Sequence, residues 1–258
     1  MSLSRLGLSL GLGGGTSATS SGGGAGGAPF VNEYSIDLDG TDAHVDTNMV
    51  APADSTYSYT AWVKVPSGAT TGIVVADFTS GGDNSKNRGV LGWRLSKWYF
   101  NMGEGSAGAW NNNTSHSASA ILDNSWHFIA LTIDGYDQKI YVDNALNASV
   151  TLTRTAGTLG TENLHIGSLG DYTAWDFNGK IDEVARFGYV LSLSEVQALY
   201  NSGVPTDLNS LAAGKTPTNW WRMGDSDGGT GTTITDVGSS PSNGDLENGP
   251  TFSSDVPT

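Results

Sequence analysis

The sequence predicts an all-β protein: a two-sheet antiparallel β-sandwich of the jelly-roll type with one short helix. The first observation is composition, because 36 of the 258 residues are Gly and only 15% are Asp, Glu, Lys or Arg. Such a composition is typical of loop-rich β proteins. The second is that short apolar runs recur from Val31 onward, separated by clusters of Gly, Asn and Ser. Many short strands with a single helix favour a sandwich.

The strands are predicted from a period of two. "YSIDLDG" places Tyr34, Ile36 and Leu38 on one face, and "YSYTAWVKV" repeats the pattern. Because successive side chains of a strand point to opposite faces, both runs predict half-buried strands. "WHFIALTID" is apolar on both faces, which predicts a central strand. The "DG" that follows it and the later "DNA" predict hairpin turns.

One segment, "SLSEVQALYNSG", predicts a helix. Ser192 and Glu195 have the spacing of a capping box, and Pro205 follows the "NSG" that ends the segment. The apolar residues fall on one stripe of the helix: Leu193, Val196, Leu199 and Tyr200.

Charge and composition exclude several classes of function. A net charge of -14 argues against a nucleic-acid surface, which needs clustered Lys and Arg. The chain has no Cys, so disulfides, Cys-based zinc sites and Cys nucleophiles are excluded. No stretch approaches the length of a membrane span. The opening "MSLSRLGLSLGLGGG" is interrupted by Gly and Ser and lacks a clear cleavage site, which disfavours an export signal.

Four segments together resemble the laminin-G-like branch of the concanavalin A-like lectin/glucanase superfamily. They are "YTAWVKV", "WHFIALTIDGYDQKIYVDN", "LHIGS" and "FNGKIDEVARFGYVLSLSEVQALYNSG", in the order and approximate spacing of that family. The resemblance covers about residues 33–203. It implies a jelly roll used mostly for adhesion and for carbohydrate or protein binding, often with one calcium ion.

The chain divides into three predicted parts. Residues 1–29 form a Gly/Ser-rich tail, typical of a flexible segment or an anchor. Residues 30–204 form the laminin-G-like jelly roll. Residues 205–258 are expected to complete that jelly roll in permuted order.

The permuted order is inferred from "WWRMGDSDGGTGTTITDVGSSPSNGDLENGPTF", residues 220–252. It resembles a segment that precedes the first strand in many laminin-G-like domains, but here it follows the helix. We expect Trp220–Met223 and Thr233–Asp236 to join the same jelly roll, or that of a neighbouring chain by swapping. A second, truncated domain is the alternative, although about 40 residues form a poor core alone.

The acidic part of this segment does not fit an EF-hand loop. Asp225 and Asp227 fit the first and third positions, but Gly229 and Thr230 occupy the fifth and sixth, where an oxygen ligand and a Gly are needed. We therefore interpret Asp225, Asp227 and Asp236 mainly as turn residues.

The resemblance implies a calcium site elsewhere, with Asp39, Asp42 and Asp182 as candidate ligands. Carboxylate oxygens suit a hard cation. The alternative is structural, with Asp39 and Asp42 forming Asx turns and Asp182 a solvated strand residue.

The candidate ligand-binding residues are Trp110, Asn111, Tyr172 and Trp175, in the polar stretches "AWNNNTSH" and "GDYTAWDFNG". A sugar ring stacks on an exposed aromatic ring while amide and carboxylate groups bind its hydroxyls. The alternative is that these aromatic side chains pack in the core or at subunit contacts.

Catalytic motifs do not stand out, and no enzyme activity is expected. The glucanase strand pattern E-x-D-x-x-E is absent, and the neighbours Asp182 and Glu183 should point to opposite faces of a strand. The histidines have no HExxH spacing, and there is no G-x-S-x-G elbow.

Three functions stay open. The first is a bacteriophage virion protein, in capsid decoration or tail/fibre-associated adhesion, that contacts other virion or structural proteins through residues 1–30. Such a protein would be located in the virion, act as a homo-oligomer and could touch cell-surface glycans. The second is a secreted or cell-surface bacterial carbohydrate-binding module. The third is a glycoside hydrolase.

Overall fold

The structure, a computed structural model, describes residues 30–50, 54–77, 89–94, 97–101, 122–151, 163–170 and 175–258. These residues form fifteen strands, one α-helix (α1, Leu193–Tyr200) and two 3-10 helices (Asn201–Gly203 and Leu208–Ser210). In chain order the strands are β1 (Ser35–Asp39), β2 (His44–Val50), β3 (Thr56–Lys64), β4 (Thr71–Asp77), β5 (Gly89–Arg94), β6 (Lys97–Asn101), β7 (Trp126–Asp134), β8 (Asp137–Val142), β9 (Ala145–Thr151), β10 (Asn163–Ile166), β11 (Asn178–Phe187), β12 (Asn219–Trp221), β13 (Thr233–Ile234), β14 (Gly244–Glu247) and β15 (Thr251–Ser253).

Two antiparallel sheets form a sandwich, which confirms the predicted fold class. The eight-stranded sheet has the order β15-β1-β11-β3-β7-β8-β9, with β12 also paired with β11. The seven-stranded sheet has the order β13-β14-β2-β10-β4-β5-β6. β7 lies between β3 and β8, as its two apolar faces predict.

The alternation along the strands builds two apolar layers. Ile129 and Leu131 point into the main core between the sheets, while Phe128 and Ala130 belong to a second cluster. That cluster is covered by α1, which buries Val196 and other apolar side chains there. Both halves of the predicted capping box at the start of α1 are present. The helix therefore closes the outer face of the eight-stranded sheet.

The C-terminal segment contributes strands to both sheets. β12 pairs with β11 and β15 with β1, while β14 pairs with β2 and carries β13 on its other side. The three aspartates of its Gly-rich stretch hold backbone turns through their carboxylates. The Asp225 carboxylate accepts a hydrogen bond from Tyr34 N at 2.9 Å, and the Asp227 carboxylate accepts one from Thr235 N at 2.9 Å. The Asp236 carboxylate accepts one from Trp220 N at 2.7 Å.

Among the residues described, no helix combines the length and the apolar character that crossing a bilayer would require.

Candidate functional site

A groove opens at one end of the sandwich, where three connections meet. Asp39 at the end of β1 pairs with Asn178 at the start of β11, and Lys64 at the end of β3 pairs with Lys180. The β1–β2 turn, the β3–β4 turn and the chain entering β11 therefore lie side by side. The groove has a volume of about 440 Å³. Its lining consists of Gly40, Thr41, Gly68, Ala69, Thr70, Thr71, Trp175, Asp176 and Asn178.

Trp175 supplies the aromatic surface of this groove. Its ring is half-buried and makes an edge-to-face contact with Tyr99 of β6, at 6.5 Å between ring centroids. The guanidinium of Arg94 lies 5.2 Å from the Trp175 ring centroid. Such aromatic and cation–π contacts hold the ring in one orientation at the groove. The other predicted ligand-binding residues, Trp110, Asn111 and Tyr172, lie outside the described residues.

Asp176 places a carboxylate beside that ring. The residue is only 8% exposed. Within the part of the chain that the structure describes, no other residue donates a hydrogen bond to its carboxylate. Burial raises the pKa of Asp176; a hydrogen bond from its own backbone N–H and the charge of nearby His44 oppose the shift, and the charges of Asp42 and Asp39 add to it. Because Asp176 lines the groove, a ligand hydroxyl placed there can donate a hydrogen bond to this carboxylate.

Four further polar residues line the groove: Thr41, Thr70, Thr71 and Asn178. The Thr71 hydroxyl itself is buried and has no hydrogen-bond partner among the described residues, whereas the Asn178 side chain is exposed. Gly40 allows the close approach of the β1–β2 turn, because it has φ +74° and a Cβ there would lie 2.7 Å from Asn178 Cβ. The groove thus combines an aromatic ring with a carboxylate and an amide.

The three predicted calcium ligands do not converge on one site. The Asp39 carboxylate accepts from Thr41 N at 2.8 Å, which is an Asx turn. Asp42 lies near the groove, since its charge acts on Asp176. Asp182 follows Asn178, the partner of Asp39, by four positions along β11, roughly 13 Å.

Asp182 is fully buried, so the structural alternative of a solvated strand residue is wrong, and its carboxylate accepts a hydrogen bond from the Asn32 side-chain amide at 3.0 Å. No group of three or more His, Asp or Glu within the described ranges is placed to hold a metal ion. Asp182 thus lies away from Asp39 along β11, and calcium binding stays a prediction.

A second cluster of buried carboxylates lies on β11, around Asp182 and Glu183. Glu183 has φ +48° where the β11–β3 register shifts, so the strict alternation expected for the pair is interrupted. Its carboxylate accepts from Trp220 Nε1 at 2.5 Å and from Arg222 Nε at 3.1 Å. Arg222 also donates to the Asp225 carboxylate at 2.6 Å and to the Val31 carbonyl. These bonds tie the first described residues to the C-terminal segment.

The pKa values of this pair report its burial. Burial raises the pKa of Glu183 to about 7, against the lowering effect of Arg222 and of the Trp220 hydrogen bond. Burial, with the charge of Glu183, raises the pKa of Asp182 well above its ordinary value. Because Glu183 already has donors on both oxygens, we interpret this cluster as structural.

Asp176 and Thr71 were not among the residues proposed from the sequence. Asp176 directly follows Trp175 in "AWDFNG", so adjacency to a predicted aromatic was an available signal. No sequence signal pointed to Thr71, because its position at the groove depends on the β3–β4 turn packing beside the chain that enters β11.

Comparison with known proteins places the chain in a family. Residues 39–197, more than half of the chain, match the Concanavalin A-like lectin/glucanases superfamily. The chain belongs to this superfamily. No protein in the curated set gives a significant match to the sequence.

Solved structures of the superfamily fold are similar at low sequence identity. A candidate carbohydrate binding protein from Bacteroides ovatus aligns with a TM-score of 0.64 and 17% identity over 89% of this chain and 62% of its own. This chain therefore spans less than two thirds of that protein. The heptameric SAP-like pentraxin from Limulus polyphemus gives 0.52 and 15% over 67% and 84%. The Ruminococcus gnavus IT-sialidase CBM40 bound to α2,3-sialyllactose gives 0.51 and 13% over 66% and 97%.

Proposed function

We propose that this protein is a non-catalytic carbohydrate-binding module whose groove at Trp175 and Asp176 holds a sugar ring. The observation that carries the proposal is the half-buried indole beside a buried carboxylate that no other described residue donates to. A sugar has an apolar ring face that stacks on an indole and hydroxyls that donate to a carboxylate. The description of the Bacteroides structure as a carbohydrate binding protein, and the sialyllactose bound in the Ruminococcus structure, support this choice of ligand.

The size and charge of the groove support binding rather than hydrolysis. Its volume of about 440 Å³ falls in the usual range for small-molecule sites, about 300–1,000 Å³. Glycoside hydrolysis needs two carboxyl groups that flank the scissile bond. Among the described lining residues, Asp176 is the only acidic one.

A glycan array followed by titration calorimetry tests the proposal. We expect the wild-type protein to bind a subset of oligosaccharides, and Trp175→Ala to weaken that binding at least about tenfold, because the stacking surface is lost. Tyr136→Ala is a matched control, since Tyr136 is 48% exposed in the turn between β7 and β8, away from the groove. Binding of no glycan, or equal binding by the Trp175 variant, would overturn the proposal.

The place where this module works is a further part of the proposal. We infer a virion component of a bacteriophage from the Gly/Ser tail, which would contact other virion proteins through residues 1–30, and from the acidic, cysteine-free chain. Mass spectrometry of purified virions tests it: absence of the protein from particles would favour the secreted or cell-surface alternative. Analytical ultracentrifugation tests whether the protein forms the expected homo-oligomer. Calorimetry with and without Ca²⁺ tests the predicted calcium binding.

A further inference from the structure

We propose that the groove selects uncharged glycans and rejects those that carry a carboxylate or sulfate next to the bound ring. This inference rests on the proposed function and names the substrate class of the same groove. It is argued from the charges around the groove.

Acidic side chains lie in and around the groove. Asp176 lies in its lining, and Asp39 and Asp42 are close enough for their charges to act on Asp176. The described lining residues include no Lys or Arg. An anionic sugar would therefore bring a like charge to a partly desolvated carboxylate, where screening by salt is weaker than at an open surface.

Two lysines near this end of the sandwich are paired with carboxylates. Lys64 at the end of β3 pairs with Asp255 at 2.8 Å, and Lys180 near the start of β11 pairs with Asp37 at 2.7 Å. The Arg94 guanidinium lies over the Trp175 ring and is not part of the groove lining. The charge of His44 opposes those of the aspartates at Asp176. Its Nδ1 donates to the Asp42 carbonyl at 2.8 Å, so that nitrogen is not available to bind an anion.

Repulsion of this kind gives specificity without a new attractive contact. Between like charges a few ångströms apart at the edge of a protein, the effect on affinity is about tenfold or more. The uncharged ring would keep both attractive elements, the indole face of Trp175 and the acceptor oxygens of Asp176. Selection between a neutral glycan and its anionic derivative is thus expected to depend on Asp176 and its acidic neighbours.

Matched pairs of glycans test the inference. Each neutral oligosaccharide that binds on the array is compared by calorimetry with its sialylated or sulfated derivative, and the pair of lactose and α2,3-sialyllactose is included. We expect the neutral member to bind about tenfold more tightly to the wild-type protein, with a smaller ratio at high salt. Asp176→Asn, which keeps the shape and one acceptor oxygen, should bring the ratio towards one. Asp137→Asn on β8, far from the groove, should leave the ratio unchanged.

A second variant protects the test against general loss of binding. The Asp42 side chain is outside the lining, so Asp42→Asn should lower the ratio about two- to threefold while the neutral glycan still binds. Equal or tighter binding of the anionic members, or a ratio that neither variant changes, would overturn this inference and leave the proposed function standing. If neither member of any pair binds, the proposed function fails and this inference fails with it.

Discussion

Asp176 and Glu183 are both nearly buried carboxylates whose pKa is raised by burial, yet their surroundings differ. Glu183 receives an indole N–H and a guanidinium N–H, and sits at a register shift that allows both. Asp176 receives no hydrogen bond from another described residue and faces a groove. Burial and a perturbed pKa are therefore common to the two carboxylates, which differ in the number of donors they receive and in their access to an opening.

The largest expected effect comes from breaking the structural cluster. Arg222→Ala would leave Glu183 and Asp225 buried with fewer donors, so the free energy of unfolding should fall by about 3 kcal/mol or more, measured by urea denaturation. The control is Lys215→Ala, which removes the more exposed ion pair between Lys215 and Glu195. It should cost less than about 1 kcal/mol. Equal effects of the two variants would contradict the structural role of the cluster.

The pH dependence of stability sharpens the same contrast. Glu183 has a pKa near 4.5 when unfolded and about 7 in the fold, so the unfolded state ionises first as pH rises. Stability from this group is present below about pH 4.5 and is lost progressively up to about pH 7, by roughly 3 kcal/mol at most.

Urea denaturation between pH 4.5 and 8 measures this difference. Glu183→Gln should become more stable relative to wild type as pH rises through this window, because Gln does not ionise. Glu195→Gln is the control. Hydrogen bonding to Lys215 and Ser192 helps to lower the pKa of Glu195, so the change in stability with pH should have the opposite sign. The same pH trend in both variants would show that the shift does not come from burial of Glu183.

At the groove the expected change is in binding rather than stability. Asp176→Ala should reduce glycan affinity by about 10- to 100-fold, because hydrogen bonds to a charged acceptor are lost. Its unfolding free energy should stay the same or rise slightly, since the variant removes a largely buried carboxylate to which no other described residue donates. A destabilised variant that binds glycan as well as wild type would reverse the roles assigned to the two carboxylates.

The smallest effect is expected at Thr71. Thr71→Val removes a buried hydroxyl that has no hydrogen-bond partner in the described part of the chain, so stability should change by less than about 1 kcal/mol, in the stabilising direction. Glycan affinity should stay unchanged, because the Thr71 hydroxyl is buried rather than open to the groove. Thr47→Val is the matched control, because the Thr47 hydroxyl donates to the Leu164 carbonyl at 2.7 Å. That variant should lose about 1 kcal/mol, and a similar loss at Thr71 would reveal an unrecognised bond.

Much of this fold could be predicted because its signals are local. The cap at Ser192 and Glu195 involves residues three apart, and the alternation in β1 and β7 is visible along each strand. Trp175 was also predicted as a ligand-binding residue and lies in the groove, since an aromatic residue in a polar stretch is a sequence signal. The predicted alternation failed at Glu183, where a register shift gives the residue a left-handed conformation.

Periodicity, composition and family motifs were thus enough to establish an all-β sandwich of the superfamily with one capped helix. The donors around each carboxylate were decided only by tertiary packing. Arg222 and Trp220 reach Glu183 across 39 and 37 positions of sequence, and the β3–β4 turn meets Asp176 across about a hundred. Whether a buried acid is satisfied by the protein or left for a ligand depends on these long-range contacts. Neither Asp176 nor Glu183 shows that difference in its sequence neighbourhood.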